Sequence, residues 1–258
     1  MLDEKIISQA IVERFYKKLL DNLEVDIAIC GAGPSGLICA IELAKERRKV
    51  AIFERKLSIG GGMWAGGMFF NEIVVEKDSR ELLANLGVHL EKYKENYFVA
   101  DAVECVCALG LEAKRRGVSI FNGIEVEDIL IRKDRVSGLV INWSAAKIAG
   151  LHVDPLSVKA KFVVDATGHD AYVARIAKEK AKIKFKKEKE MVFKESSLWA
   201  EKAEKLVEKY TQEICKGLFV CGMAANSVFG LPRMGPVFGG MLLSGKKCAC
   251  LIASLFKK

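Results

Sequence analysis

The sequence predicts an α/β fold, Rossmann-like, with a central parallel sheet and a small β-meander, and three observations carry the prediction. Residues 27–30 form an apolar run too short for a helix, which passes into Gly31-Ala-Gly-Pro-Ser-Gly36 and then a helical run over 37–46. A second apolar run, 50–53, ends on Glu54. Two late apolar runs, 162–165 and 218–221, are each followed at once by a glycine-containing turn. Strand, helix and strand in this order read as the crossover connection that parallel strands require.

Taken in order, residues 2–19 present Ile6, Ile7, Ala10, Ile11, Phe15 and Leu19 on one helical face. That face is expected to pack on a neighbouring subunit. In the first turn Gly31 permits the sharp bend, Gly33 lets backbone approach a pyrophosphate, and Gly36 lets helix and strand pack closely. Pro34 suits the first helical turn, whose missing N–H costs nothing there. The remaining free N–H groups and the positive end of the helix dipole form an anion site. Glu54 lies 23 residues after Gly31, where the ribose hydroxyls of a dinucleotide are gripped.

Further along, five glycines fall within residues 60–67, a loop that must lie close to a ligand or to backbone. Asp78 or Ser79 is expected to cap a short helix to 86, and 100–116 reads as a helix stopped by Gly117. Runs at 118–121, 124–131 and 136–142 read as strands, the last two joined through Lys133-Asp134 in a hairpin-like turn. Residues 235–256 read as a closing helix entered through Pro236. The expectation is a single dinucleotide-binding α/β domain spanning 1–258.

Composition narrows the function. No apolar run reaches the roughly 18 residues of a membrane span, and the first residues lack the apolar core of a signal peptide, so a cytoplasmic location is expected. The formal charge of +8 owes much to residues 178–189, which hold seven lysines with no interleaved aromatic platform. A solvated surface segment explains that tract better than nucleic-acid binding. The eight cysteines contain no C-x-x-C. The C-x-C pairs at 105/107 and 248/250 sit in helical patterns, where residues two apart face different ways, so reduced structural thiols are expected.

Two segments are candidates for chemistry. In His152-Val-Asp-Pro155, proline biases Asp154 toward an extended backbone, which projects His152 and Asp154 to the same side. His169 follows the strand at 162–165, at the carboxyl edge where α/β proteins place ligands. One carboxylate with one or two imidazoles suits a divalent Fe, Mn or Zn ion and leaves coordination positions open. The same histidines serve equally well as hydrogen-bonded structural residues. In Gly230-Leu-Pro-Arg-Met-Gly-Pro236, Arg233 has no acid near it in sequence. Its fork suits a substrate carboxylate or phosphate, or else the backbone carbonyls of a turn.

The order of elements resembles the two-dinucleotide-binding flavoprotein architecture. Two features argue against a bound flavin: Gly222 precedes Met223 rather than the aspartate that holds a ribityl chain, and there is no second G-x-G-x-x-G.

Gly31-Ala-Gly-Pro-Ser-Gly36, Gly60-Gly-Gly-Met-Trp64, His152-Val-Asp-Pro155, Ala166-Thr-Gly-His-Asp170, Arg233-Met-Gly-Pro236 and Phe238-Gly-Gly-Met241 together resemble the thiamine thiazole synthase family. The resemblance spans essentially the whole chain; Ala65 departs from it where glycine is expected. It implies an enzyme that converts NAD, glycine and a sulfur source into an ADP-linked thiazole carboxylate. One branch of that family draws sulfur from its own cysteine just before the Asp-Pro segment. Here the position is His152, which resembles the archaeal branch that uses free sulfide and Fe(II) and turns over. Carried over by matching motif, Gly31, Gly33, Ser35, Gly36, Glu54, Arg55, Gly62, Val126, His152, Val153 and Met223 would line the NAD site. Asp154 and His169, from two different subunits, would hold the iron, and Arg233 the glycine carboxylate. An obligate homo-oligomer, an octamer, is implied, with small-molecule substrates and neither nucleic acid nor membrane as partner. His152 and Asp170 are available to move protons. The rival readings are an isomerase of ribose 1,5-bisphosphate, a non-catalytic NAD-binding protein and a flavin oxidoreductase.

Overall fold

A computed structural model describes residues 1–180 and 183–257. Helix α1 (Glu4–Asp21) begins on Asp3, whose carboxylate accepts from the N–H groups of Lys5 and Ile6. It leads into the βαβ unit: β1 (Glu24–Cys30), α2 (Pro34–Lys45) and β2 (Val50–Glu54). Next come β3 (Glu72–Glu76), α3 (Lys77–Ala84), β4 (Glu91–Lys94), β5 (Tyr97–Asp101) and α4 (Ala102–Arg115). Strands β6 (Ser119–Asn122), β7 (Ile124–Arg132) and β8 (Arg135–Trp143) lead to the short α5 (Ser144–Ile148). Then follow β9 (Leu156–Asp165), α6 (Tyr172–Lys180), α7 (Ala200–Tyr210), β10 (Gln212–Cys215), β11 (Leu218–Val220), α8 (Met223–Val228) and α9 (Gly239–Leu255).

The main sheet runs β10-β11-β9-β1-β2-β6, with β7 and β8 joined to it along β9. Strands β11, β9, β1, β2 and β6 are mutually parallel, so their carboxyl ends share one edge. Within that edge Cys30 is level with Phe53 and with Asp165, and Asp165 is level with Val220. The ten-residue β9 organises the sheet. Along one side it pairs with β1 from Lys159 to Asp165; along the other it pairs antiparallel with β8 near its start and parallel with β11 near its end. The expected meander is therefore β7-β8-β9, continuous with the main sheet. A separate antiparallel sheet, β3-β5-β4, stands apart from it.

Side chains alternate across the sheet. On β1, Ile27 and Ile29 join the core with α2, α4 and α9, while Ala28 and Cys30 join the core with the hairpin, α6 and α8. Ile27 and Ile29 are fully buried, each worth about 1.5–3 kcal/mol of transfer free energy. The Lys133-Asp134 turn takes positive φ at both residues, as a two-residue hairpin of the favoured hand requires.

Several boundaries differ from expectation. The first helix runs Glu4–Asp21 rather than 2–19, because Asp3 caps it. The closing helix starts at Gly239 rather than 235: Gly235 has φ +71°, and Pro236 lies in the approach to the helix rather than its first turn. Neither Asp78 nor Ser79 caps α3, whose N-cap is Glu76, and Asp101 caps α4 by accepting from Glu104 N–H. The lysine tract is only partly solvated, since Phe185 within it is buried and Lys178, Lys180 and Lys186 pair with Glu188, Asp128 and Glu213. Residues 181 and 182 of that tract lie outside the described residues. In each C-x-C pair one thiol is buried and the other exposed, as helical spacing demands.

Candidate active site

A cavity of about 660 Å³ opens at the carboxyl edge of the parallel strands. Its floor is the glycine turn after β1. Its walls are the loop at 61–68, the turn after β9 and the segment that enters α9.

At one end of the cavity stands the glycine turn of the dinucleotide fingerprint. Gly33 is the N-cap of α2 and offers no side-chain cap, and Pro34 follows, so first-turn N–H groups remain free at the wall. Gly31 has φ +97°, and a Cβ there would stand 2.5 Å from the Ala166 carbonyl oxygen. Gly31, Gly33 and Ser35 line the cavity; Gly36 does not, being pressed against Gly31 from behind. The Glu54 carboxylate, 7% exposed, accepts from Ala32 N–H at 2.8 Å and from Lys56 N–H at 2.9 Å. Each oxygen keeps a lone pair free for a sugar hydroxyl. Gly62 and the side of Val126 and Met223 complete this end. Arg55 instead reaches across the mouth and donates to Asp170 at 2.9 Å.

The other end hangs on Asp165. Fully buried at the end of β9, it accepts from Thr167 N–H at 2.9 Å, Thr167 Oγ1 at 2.7 Å and Ala174 N–H at 2.8 Å. Burial raises its pKa against these bonds. The staple bends the chain so that His169 and Asp170 face the cavity. His169 Nδ1 stands 2.9 and 2.8 Å from the two oxygens of Glu195. A carboxylate can only accept, so Nδ1 carries the proton, and the neutral ring keeps its lone pair on Nε2. Arg233, largely exposed, is also near Glu195, its Nε 3.9 Å from Oε2. The acid missing from the neighbouring sequence of Arg233 is thus supplied in space, at the outer limit of an ion pair.

Not every candidate residue reaches the cavity. His152, Val153 and Asp154 are exposed on the segment before β9 and do not line it. Asn142 Nδ2 donates to the Val153 carbonyl at 2.9 Å and so ties that segment to the hairpin. Among the described residues, no three His, Cys, Asp or Glu side chains gather as a metal cluster. The donor chemistry of one chain still fits part of an iron site: an imidazole with a free Nε2, steadied through Nδ1 by a carboxylate. The sequence held no sign of Glu195 or Tyr172 as neighbours of the site, whereas Thr167 lies inside the Ala166–Asp170 motif; Glu195 sits in a stretch without periodicity, and only the fold brings it to His169. Cys30 does line the cavity, but its thiol is buried, and burial with the nearby Asp165 raises its pKa well above the ordinary value. The exposed Cys107 and Cys250 are not among the lining residues.

The chain is similar to several known proteins over nearly its whole length. A thiamine thiazole synthase of Pyrococcus horikoshii is 52% identical over 249 residues, 96% of each chain. One of Desulfosudis oleivorans is 52% identical over 251 residues, 97% of each. The crystal structure of Thermovibrio ammonificans THI4 superposes with a TM-score of 0.95 at 49% identity, covering 100% of this chain and 99% of the other. Residues 8–238 match the Thi4 family, and the chain belongs to that family.

Proposed function

We propose that this chain, a thiamine thiazole synthase by family, builds its ADP-linked thiazole carboxylate from NAD, glycine and free sulfide with the help of Fe(II). The observation that carries the reading is one cavity with a dinucleotide turn and Glu54 at one end and His169 and Arg233 at the other.

The free N–H groups of Gly33, Ser35 and their neighbours bind the pyrophosphate. Glu54 holds ribose hydroxyls, and Val126 and Met223 cover the apolar wall. Water displaces nicotinamide to leave ADP-ribose and a proton, and the ring-opened aldehyde of ADP-ribose condenses with the amine of glycine, releasing water as an imine forms. Arg233 holds the glycine carboxylate by a bidentate pair, which aligns the amine with that carbonyl. His169 Nε2 and Asp154 would hold the iron, which supplies Lewis acidity and orients substrate groups toward sulfide. Asp170 and His152 are placed on exposed segments where each can exchange protons with water. Asp154 and His152 would come from a second copy of the chain. An octamer with sites shared between subunits is supported by the exposure of that segment and of the apolar side of α1. No described helix is long and apolar enough to cross a membrane, and cytoplasmic substrates fit a cytoplasmic enzyme.

The sulfur source is tested by turnover. An imidazole at position 152 offers no sulfur, and the one cysteine lining the cavity is buried as a thiol. With NAD, glycine, Fe(II) and sulfide under anaerobic conditions, product should exceed one equivalent per subunit and protein mass should stay unchanged. A yield capped at one equivalent, with a matching loss of one sulfur from the protein, would refute the reading.

A further inference from the structure

We propose that Glu195 is the positioning residue for both reactive side chains of the cavity, holding the His169 proton on Nδ1 so that Nε2 is presented, and anchoring the Arg233 fork. The inference rests on the reading of His169 and Arg233 just given, and it deepens that reading.

Glu195 does not line the cavity, and its side chain is 13% exposed. Its place is fixed by backbone rather than by its own packing. Val192 and Phe193 both donate N–H to the Val228 carbonyl, Ser196 to Leu231, and Trp199 to Arg233, while Arg233 N–H returns to Ser196. The segment at 192–199 is thereby zipped along 228–233, and Glu195 moves only if Arg233 moves with it.

A second tie runs to the histidine side. Arg175 donates from Nε to the Asp170 carbonyl at 2.7 Å and from Nη2 to the Phe193 carbonyl at 2.6 Å. The His169 turn and the Glu195 segment are thus clamped together by one planar side chain. Between them the Glu195 carboxylate meets Nδ1 with both oxygens, and Oε2 is the atom shared with Arg233. An imidazole more than half exposed would otherwise turn over and exchange tautomers. The carboxylate removes both freedoms. A carboxylate behind a ligating imidazole also raises its basicity, and loss of such a partner typically costs ~10–100-fold in metal affinity.

The test begins with protein that holds no metal. The chain has only three histidines, so ¹⁵N-histidine labelling gives three imidazoles, with His169→Ala identifying the one that matters. Spectra are recorded at a pH above which the ring-nitrogen shifts no longer change, so that only tautomers differ. His169 should show the Nδ1–H form in the native chain, retain it in Glu195→Gln, whose amide oxygen still accepts, and lose it in Glu195→Ala. An unchanged NAD affinity in both variants certifies that the fold and the nucleotide end are intact. Persistence of the Nδ1–H form in Glu195→Ala overturns the proposal. Co(II) titration supplies the second reading: Glu195→Ala should bind ~10–100-fold more weakly, with Glu195→Gln between it and the native chain. If His169→Ala leaves Co(II) affinity unaltered, the metal reading of His169 fails while the tautomer result stands on its own. Glycine KM should rise in Glu195→Ala with NAD KM unmoved; equal glycine KM in the two variants and the native chain removes the Arg233 half of the proposal.

Discussion

Asp154 and His169 stand off opposite ends of the same strand. Asp154 lies two residues before the start of β9, His169 four residues after its end, and a ten-residue strand extends roughly 30 Å. A metal bond spans only about 2 Å. Sequence proximity therefore hides a spatial division, and a site using both residues draws them from two chains.

Complementation between inactive variants follows. Asp154→Ala and His169→Ala should each abolish thiazole formation, with NAD affinity within about twofold of native, because neither touches the pyrophosphate turn or Glu54. When the two variants are mixed and allowed to exchange subunits, a fraction of interfaces carries both native ligands, and activity should reappear. Mass spectrometry verifies the exchange. Silence after verified exchange would mean that the two residues do not work across an interface.

The Glu54 carboxylate holds the backbone of the glycine turn and, in the proposed site, the ribose hydroxyls as well. Glu54→Gln replaces one accepting oxygen by an amide that faces a backbone N–H, so the turn loses a bond and the ribose a charge-assisted partner worth about 1.5–3 kcal/mol. NAD affinity measured by calorimetry should fall roughly tenfold to a hundredfold. Retention of native affinity would remove Glu54 from the site.

The stability of the chain should fall as pH rises through neutrality, and Glu204 is the reason. Burial pushes its carboxyl up to about 7, opposed by the Gly240 N–H bond and assisted by Glu76. Its Oε1 is buried without a hydrogen-bond partner among the described residues. Because the folded value lies above the unfolded one, the folded state binds the extra proton. That stabilisation is complete below the ordinary carboxyl value of 4.5 and is lost as pH rises through about 7. The shift corresponds to about 3 kcal/mol. Denaturant unfolding at both ends of that window should show the decline, and Glu204→Gln should flatten it. A parallel decline in the variant would assign the effect to other groups.

Gly245→Ala should destabilise the chain by about 1–3 kcal/mol and weaken NAD binding together. On α9 it is buried where a Cβ would be driven into the Ser35 carbonyl oxygen and the backbone behind it. Relief requires α9 or the N-terminus of α2 to shift, and that N-terminus is the proposed pyrophosphate seat. A melting temperature that drops with NAD affinity unchanged would show that α9 alone gives way.

What could be read in the residues was whatever depends on local pattern. The βαβ unit, Glu54 at its end, the Lys133-Asp134 hairpin and the strand before Ala166 all follow from apolar period and turn chemistry over windows of ten residues or fewer. The three-stranded sheet was not legible, because β4 is exposed along its length and β3 is short and flanked by glutamates. Helix α7 hid for another reason: Glu204 occupies its buried face between Ala203 and Val207, so a charge stands where the apolar stripe should run. At the site, residues within motifs were legible and their partners were not. His169 belongs to a recognisable turn, whereas Glu195 reaches it from 26 residues away through contacts with 228–233 that no local pattern encodes.

Helix α1 has no buried residue in the single chain. It touches the body through the Phe15 edge on Phe121, through Lys18 over the same ring and on the Ile120 carbonyl, and through the half-buried Leu19 against the core. Ile6, Ile7, Ile11, Val12 and Tyr16 face solvent. Eighteen residues so lightly attached have little to melt against on their own, so in the homo-oligomer proposed above their order becomes a matter of mass action. On dilution this helix should fray first, with specific activity declining and the apparent melting temperature slipping in step. The same apolar face, open on a single chain, is a place where other apolar surfaces can settle, so α1 is the segment of this protein most exposed to aggregation whenever the chain stands alone.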